Sequence, residues 1–371
     1  VRLNRIGATL FGPDRAKQDR TCSTKLPGEE SMKVETALPI GDLSQVPAGA
    51  KEAEELGYDG VLSFEVGHDP FLPLAIAAEH TQRVTLGSAV AIAFPRSPMS
   101  VAQMAWDIQA LSRGRLLLGL GTQVKGHNER RYSTPWPSPA GPRLREYILV
   151  LRAIWASWQN KSRPNFRGKH YTYTLMTPFF DPGPIEHPHV PIHISAVNPY
   201  MCRLAGELCD GIRLHGLCTP KYLHEVILPN IETGAKKVGR SLKDIDICGG
   251  GFIITGEREG DVERQKQFAR AQIGFYASTR TYKSVLDMHG WGETCLTLHR
   301  LVDEGRWAEL GRQVTDEMLE QFGVIGTYDE IAARIKERWG GIVNRIAFAV
   351  PIRDGGDKER VKALIGELQA I

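Results

Sequence analysis

Long apolar runs are missing from this 371-residue chain. No stretch approaches the roughly 18 uninterrupted apolar residues of a membrane-crossing helix, so no membrane partner is expected. Cysteine is scarce. The six thiols, at 22, 202, 209, 218, 248 and 295, form no CxxC pair. That pattern fits a reducing cytoplasm better than a disulfide framework. An excess of one charge is lacking too: 46 basic against 43 acidic side chains leave a net +3. So balanced a chain is not expected to take nucleic acid as its main partner. The excess is uneven, because residues 1–31 hold Arg2, Arg5, Arg15, Lys17, Arg20 and Lys25. No apolar core follows those residues, so a secretory signal is not expected either.

Two catalytic signatures are also missing. No GxGxxG follows the first strand pattern, and no GxSxG elbow occurs anywhere. His187-Pro188-His189 and His193 offer imidazoles, but the first two lie in a Pro-rich crossing without an acidic ligand set, so no metal site is expected.

What is present is a rhythm. Residues 1–31 are polar, broken by Gly and Pro and without period, and they read as a disordered or non-native leader. From Met32 to residue 371, short apolar runs alternate with amphipathic stretches, the pattern of a parallel sheet wrapped by helices. Strands are predicted at 33–38, 59–64, 84–91, 115–120, 191–196, 210–214, 246–255 and 343–350. Helices such as Val46–Leu56 stop at glycines able to take the left-handed conformation. Eight such units predict an α/β fold, a closed (β/α)8 TIM barrel, forming one domain over 32–371. Residues 159–190 and 279–325 break the rhythm and read as insertions at the barrel mouth. Their aromatics (Phe166, Tyr171, Tyr173, Phe179, Phe180, Tyr282, Trp291) are expected to shape a pocket or a dimer interface. Gly249-Gly250-Gly251, inside the seventh strand, suggests close packing or a bulge. Trp155 and Trp158 are expected in the core or an interface.

Barrel chemistry sits where strands end. Strand 2 ends in Phe64-Glu65-Val66-Gly67-His68-Asp69, and strand 3 in Ser88-Ala89-Val90. Strand 4 ends in Gly121-Thr122-Gln123 and feeds His127-Asn128-Glu129-Arg130-Arg131. Strand 5 ends in Ser195-Ala196-Val197-Asn198, and strand 6 near His215. His68 has two readings: a polar group beside the chemistry, or a structural residue before Asp69, which could itself cap the next helix.

In order and spacing, GYDGV, HDPFLPLAIAAEHTQRVTLGSAVAI, SRGRLLLGLGTQ, HNERRY, RLREYILVLRAIW, PIHISAVNPYMCRLAGELCDGI and IGTYDEIAARI resemble the luciferase-like monooxygenase superfamily from Met32 to the C-terminus. AFPRSPM and TQV…ERRY are most similar to members using the deazaflavin coenzyme F420. The resemblance implies a non-prolyl cis peptide at Ala89–Val90 or one residue earlier, with Ser88 and Ala89 small enough for a flat ring to approach. It implies that His68 sits beside the redox carbon, with Glu65 as the candidate partner tuning it. Gly121, Thr122, Gln123, His127 and Asn128 would line the polar edge of the ring. Arg131 would bind cofactor phosphate or pair with Glu129. Ser195, Ala196, Val197 and Asn198 would place the phosphate at a helix N-terminus, with Met201 against the ring. The implied activity is hydride transfer between F420 and a small organic substrate. The alternatives are an FMN-dependent monooxygenase fed by a flavin reductase, and a non-catalytic flavin-binding relative. A homodimer is implied by the resemblance alone.

Overall fold

A computed structural model describes residues 31–350 and 355–371. The reading of residues 1–31 as a leader lies, apart from Ser31, outside the described residues.

Eight strands run parallel around a closed barrel: β1 (Lys33–Ala37), β2 (Gly60–Ser63), β3 (Thr85–Ser88), β4 (Leu116–Gly121), β5 (Ile192–Ser195), β6 (Gly211–Arg213), β7 (Asp246–Cys248) and β8 (Arg345–Ala347). Pairing follows chain order. β1 meets β8 through Lys33 opposite Arg345, and β3 meets β4 through Leu86 opposite Leu116. Local chemistry explains where the surrounding helices start and stop. Helix Val46–Leu56 carries a proline in its first turn and ends at Gly57, whose φ of 92° few other residues would accept. Helix Phe71–His80 starts under Asp69, whose Oδ1 accepts from Phe71 N (2.8 Å) and Leu72 N (3.3 Å). The capping role read for Asp69 is therefore real.

On the face away from the strand ends, Arg115 ties the neighbouring turns together. Its guanidinium donates to the carbonyls of Ala78, Thr81, Val84 and Ser112, satisfying the C-terminus of that helix. Conserving stability there and chemistry at the other end is the usual division of labour in such barrels.

Two predicted strands are split. The stretch 84–91 breaks after Ser88 at a cis peptide between Ala89 and Val90, and resumes as Ala91–Ile92, still paired with β4. The stretch 246–255 breaks at Gly249, Gly250 and Gly251, with φ of 152°, 149° and 70°. Beyond them Phe252–Gly256 leaves the barrel and pairs in parallel with Gly323–Thr327. The eighth strand is also shorter than its apolar run.

The first insertion contains the expected hairpin, Phe166–Arg167 against Thr172–Tyr173. The second folds into helices Lys283–Met288, Gly292–Asp303 and Asp316–Phe322. Leu286, Leu298, Leu310 and Phe322 are buried there in the same continuous core as the barrel. Several insertion aromatics do not serve a pocket. Phe166 and Tyr173 are buried, Tyr171 packs edge-on against Tyr147, and Phe179 and Phe180 stand in solvent. Trp155 and Trp158 lie in the core as expected. Among the described residues no helix is long and apolar enough to cross a membrane.

Candidate active site at the barrel mouth

Strand alternation sorts the side chains, because every second residue points into the barrel. Glu35, Arg213 and Arg345 share the interior. Arg213 Nη1 donates to Glu35 Oε2 (3.0 Å), Arg213 Nη2 to Oε1 (3.4 Å), and Arg345 Nη1 to Oε1 (3.3 Å). Arg345 Nε also reaches Asp246 Oδ2 at 2.8 Å. All three residues of the central triad are buried. Burial alone would push the Glu35 carboxyl up, but Arg213 and Arg345 overcome it and hold the pKa below the usual range. Sequence reasoning passed over this charged floor.

The same alternation carries each row one step further toward the strand ends. Ala37 follows Glu35, Ala347 follows Arg345, and both are exposed although they point inward. An open well therefore stands above a sealed, charge-paired floor. Ser195 and His215 complete its wall at the ends of β5 and β6, half-buried.

The adjoining wall is mostly backbone. After Ser88 the chain bulges inward, and β4 makes room with two glycines. A Cβ on Gly119 would stand 1.9 Å from the Ser88 carbonyl oxygen. One on Gly121 would meet Val90 Cγ2 at 2.7 Å and Ser195 Oγ at 2.9 Å. Ser88 Oγ fixes the bulge from below, donating to Gly119 O (2.8 Å) and accepting from Gly119 N (2.9 Å). The Ser88 hydroxyl thus serves the sheet.

Glu65 is the knot of the mouth. Its carboxylate accepts from Arg96 Nη1 (2.8 and 2.7 Å), Ile92 N (2.7 Å) and the Tyr132 hydroxyl (3.1 Å). Arg96 also pairs with Asp69 at 3.0 Å, and Arg131 donates to Val66 O at 2.7 Å. The loops after β2, β3 and β4 are tied together through these contacts. Burial and then the Glu65 charge push the Tyr132 phenol up, so it remains a donor. Glu65 thus answers to Arg96, Ile92 and Tyr132 rather than to His68. His68 stands exposed on the rim. Replacing Glu65 with alanine is expected to cost about 2 kcal/mol, since it strips a half-buried cation and a backbone N–H of their acceptor. Hydrogen exchange should quicken together in 64–69, 89–96 and 122–132. Loosening confined to one loop would contradict the knot.

The turn after β4 is built by Asn128, fully buried. Its Nδ2 donates to Thr122 O (2.9 Å) and Val124 O (3.1 Å), and its Oδ1 is left without a partner. Gln123 takes a φ of 57° there, and His127 is exposed. Asn128 therefore shapes the edge of the well through the turn. After β5, Asn198 Oδ1 accepts from Met201 N (3.1 Å) and starts helix Pro199–Leu208. Ala196 and Met201 are buried, and Val197 is partly open.

Below the well, His193, Asp246 and Cys248 bring three donor atoms within 4.8 Å of one another. Arg345 already occupies Asp246, and Arg213 lies close enough to help depress the His193 pKa. Burial is the larger cause, and together they bring it to about 3. Two guanidinium charges at that spot oppose a cation. A cavity of about 1160 Å³ lies elsewhere, between Glu263, Arg270, Gly323, Val324 and Arg338. Its charges are largely committed, as in Arg270 to Asp316 and Arg338 to Gly323 O.

Residues 22–344 match the family described as luciferase-like monooxygenase. The chain belongs to that family. A luciferase-like relative, an uncharacterized protein of Mycobacterium tuberculosis, is 39% identical over 342 residues, 92% of this chain and 99% of its own length. Another from that organism, named as a coenzyme F420-dependent oxidoreductase, is 30% identical over 75% of this chain and 83% of its own. Among solved structures, the coenzyme F420-dependent tetrahydromethanopterin reductase of Methanopyrus kandleri superposes with a TM-score of 0.73. It shares 22% identity and covers 91% of this chain and 98% of its own, a likeness of fold.

Proposed function

We propose that this luciferase-like protein is an F420-dependent oxidoreductase, moving a hydride between the deazaflavin and a small organic substrate in the well. The observation that carries the reading is the well itself: open, floored by paired charges, and walled on one side by backbone and glycine. A flat ring needs such a wall, and Ala37 and Ala347 leave it room. The 30% identity to a protein named for F420 supports the choice of cofactor.

When bound, the cofactor supplies a two-electron hydride carrier that reacts little with oxygen. Ala89 and Val90 would back its ring, and the backbone of Gly121, Thr122 and Gln123 would meet its polar edge. Ser195 to Asn198 and the first turn of the following helix would hold its phosphate. His68, on the rim, would face the substrate, and Glu65 would act as a positioning residue through the loops it ties. The monooxygenase in the family description keeps a second reading open, with FMN in the same well and a reductase as partner.

Fluorescence titration with F420 and separately with FMN decides between them. F420 is expected to bind at least about tenfold more tightly, a difference of ~1.4 kcal/mol. The reverse order would make the protein a two-component monooxygenase. His68→Ala should keep F420 affinity within a few-fold while slowing hydride transfer, and unchanged turnover would remove His68 from the chemistry.

A further inference from the structure

His215 extends the inward row Gly211–Arg213 by one more step, so its ring stands in the wall of the well above the Arg213–Glu35 pair. Its setting is unusually fixed for a mouth residue. Tyr282 stacks on one face (centroids 4.4 Å apart, planes at 27°), and Tyr276 meets the ring edge-on (4.6 Å, 81°). Leu217 N–H donates to Nδ1 at 3.1 Å. A ring nitrogen accepting from a backbone N–H cannot carry a proton, so the proton of the neutral ring sits on Nε2. Burial pushes the pKa down to about 4, so the ring is neutral near pH 7. Among the described residues Nε2 has no hydrogen-bond partner. The arginine beneath is committed to Glu35 and does not compete for a ligand.

A rigid, uncharged N–H in an aromatic wall suits one kind of ligand group: a single neutral oxygen on an apolar frame. We propose that His215 Nε2–H binds the oxygen of a neutral carbonyl or alcohol substrate, with Tyr276 and Tyr282 flanking its apolar part. This deepens the oxidoreductase reading and rests on it for the word substrate. The binding claim itself needs no turnover. His215 is, on this view, a substrate-binding residue that selects against carboxylates and phosphates, which call for a cation.

Nitrogen-15 spectra of histidine-labelled full-length protein near pH 7 test it, with the His215 ring assigned by its loss in His215→Phe. The expected spectrum is a neutral ring protonated on Nε2, whose Nε2 signal moves with cyclohexanone and much less with levulinate at equal concentration. His215→Phe keeps the aromatic packing and should weaken cyclohexanone binding about tenfold, the loss of one hydrogen bond. A ring protonated on Nδ1, a response to levulinate as large as to cyclohexanone, or no response to either overturns the proposal. Failure of the wild-type protein to bind F420 would instead overturn the oxidoreductase reading, while the ring spectra would still report on the ketone.

Discussion

Replacing Glu35 with alanine is expected to destabilise the protein by about 3–5 kcal/mol, because two buried guanidiniums lose their shared counter-charge. Arg213 and Arg345 both depend on this carboxylate, and Arg213 Nε already lacks a partner. Thermal denaturation should show a fall in Tm of the order of 10 °C. The same floor sets an acid response. The Glu35 pKa is depressed on folding, so its stabilisation is present above the unfolded carboxylate range and is lost as pH falls through the folded value. His193 acts earlier. Burial, reinforced by Arg213, brings its pKa to about 3, while an unfolded histidine takes up its proton near pH ~6.5. Between those values the unfolded chain binds the extra proton, so stability declines as pH drops. Tm should therefore fall well before the carboxylates titrate, and His193→Asn should flatten that slope. A flat Tm from pH 7 to 4 in the wild type would contradict the buried, neutral His193.

Gly119→Ala is expected to be still more damaging. The added methyl would lie 1.9 Å from the Ser88 carbonyl oxygen, which is backbone held in the sheet and unable to yield cheaply. Overpacking of that kind costs roughly 1–3 kcal/mol when neighbours can shift, and more when they cannot. Little soluble protein, or a Tm lowered by more than in Glu35→Ala, is the anticipated result. Gly121→Ala provides the contrast. Its methyl would press on the side chains of Val90 and Ser195, and on no backbone atom among its three nearest neighbours. That variant should fold with a small loss of Tm but bind F420 about tenfold more weakly, because the wall of the well has moved. Wild-type stability in Gly119→Ala would mean that the bulge does not need its socket.

The barrel was legible because each strand run is short, apolar and followed by a helix with its own stop. The break at Gly249–Gly251 was half-legible: three glycines signalled a disturbance, but their positive φ values turn the chain out of the barrel, which no local pattern states. Glu65 shows the other limit. Its residue type and place at a strand end marked it, yet its partners Ile92, Arg96 and Tyr132 lie 27 to 67 positions away. Glu35 is the extreme case, with partners 178 and 310 residues distant, and a lone glutamate inside a strand offers nothing to announce them. His215 was marked as the end of the sixth strand, with no role attached. Counting by twos from Gly211 is enough to put it inside the barrel.

The small parallel pair Phe252–Gly256 and Gly323–Thr327 has a consequence for how the chain can be recombined. Everything from residue 257 to 322 departs from one of these strands and returns to the other, with the two held in register. That excursion is one contiguous cassette, entered and left through a single pair of strands. Tyr276 and Tyr282 travel with the cassette, whereas Glu35, Arg213 and the glycine sockets stay behind. Chimeras joined at Gly256 and Gly323 are therefore the natural units for asking how much of the selectivity travels with the excursion.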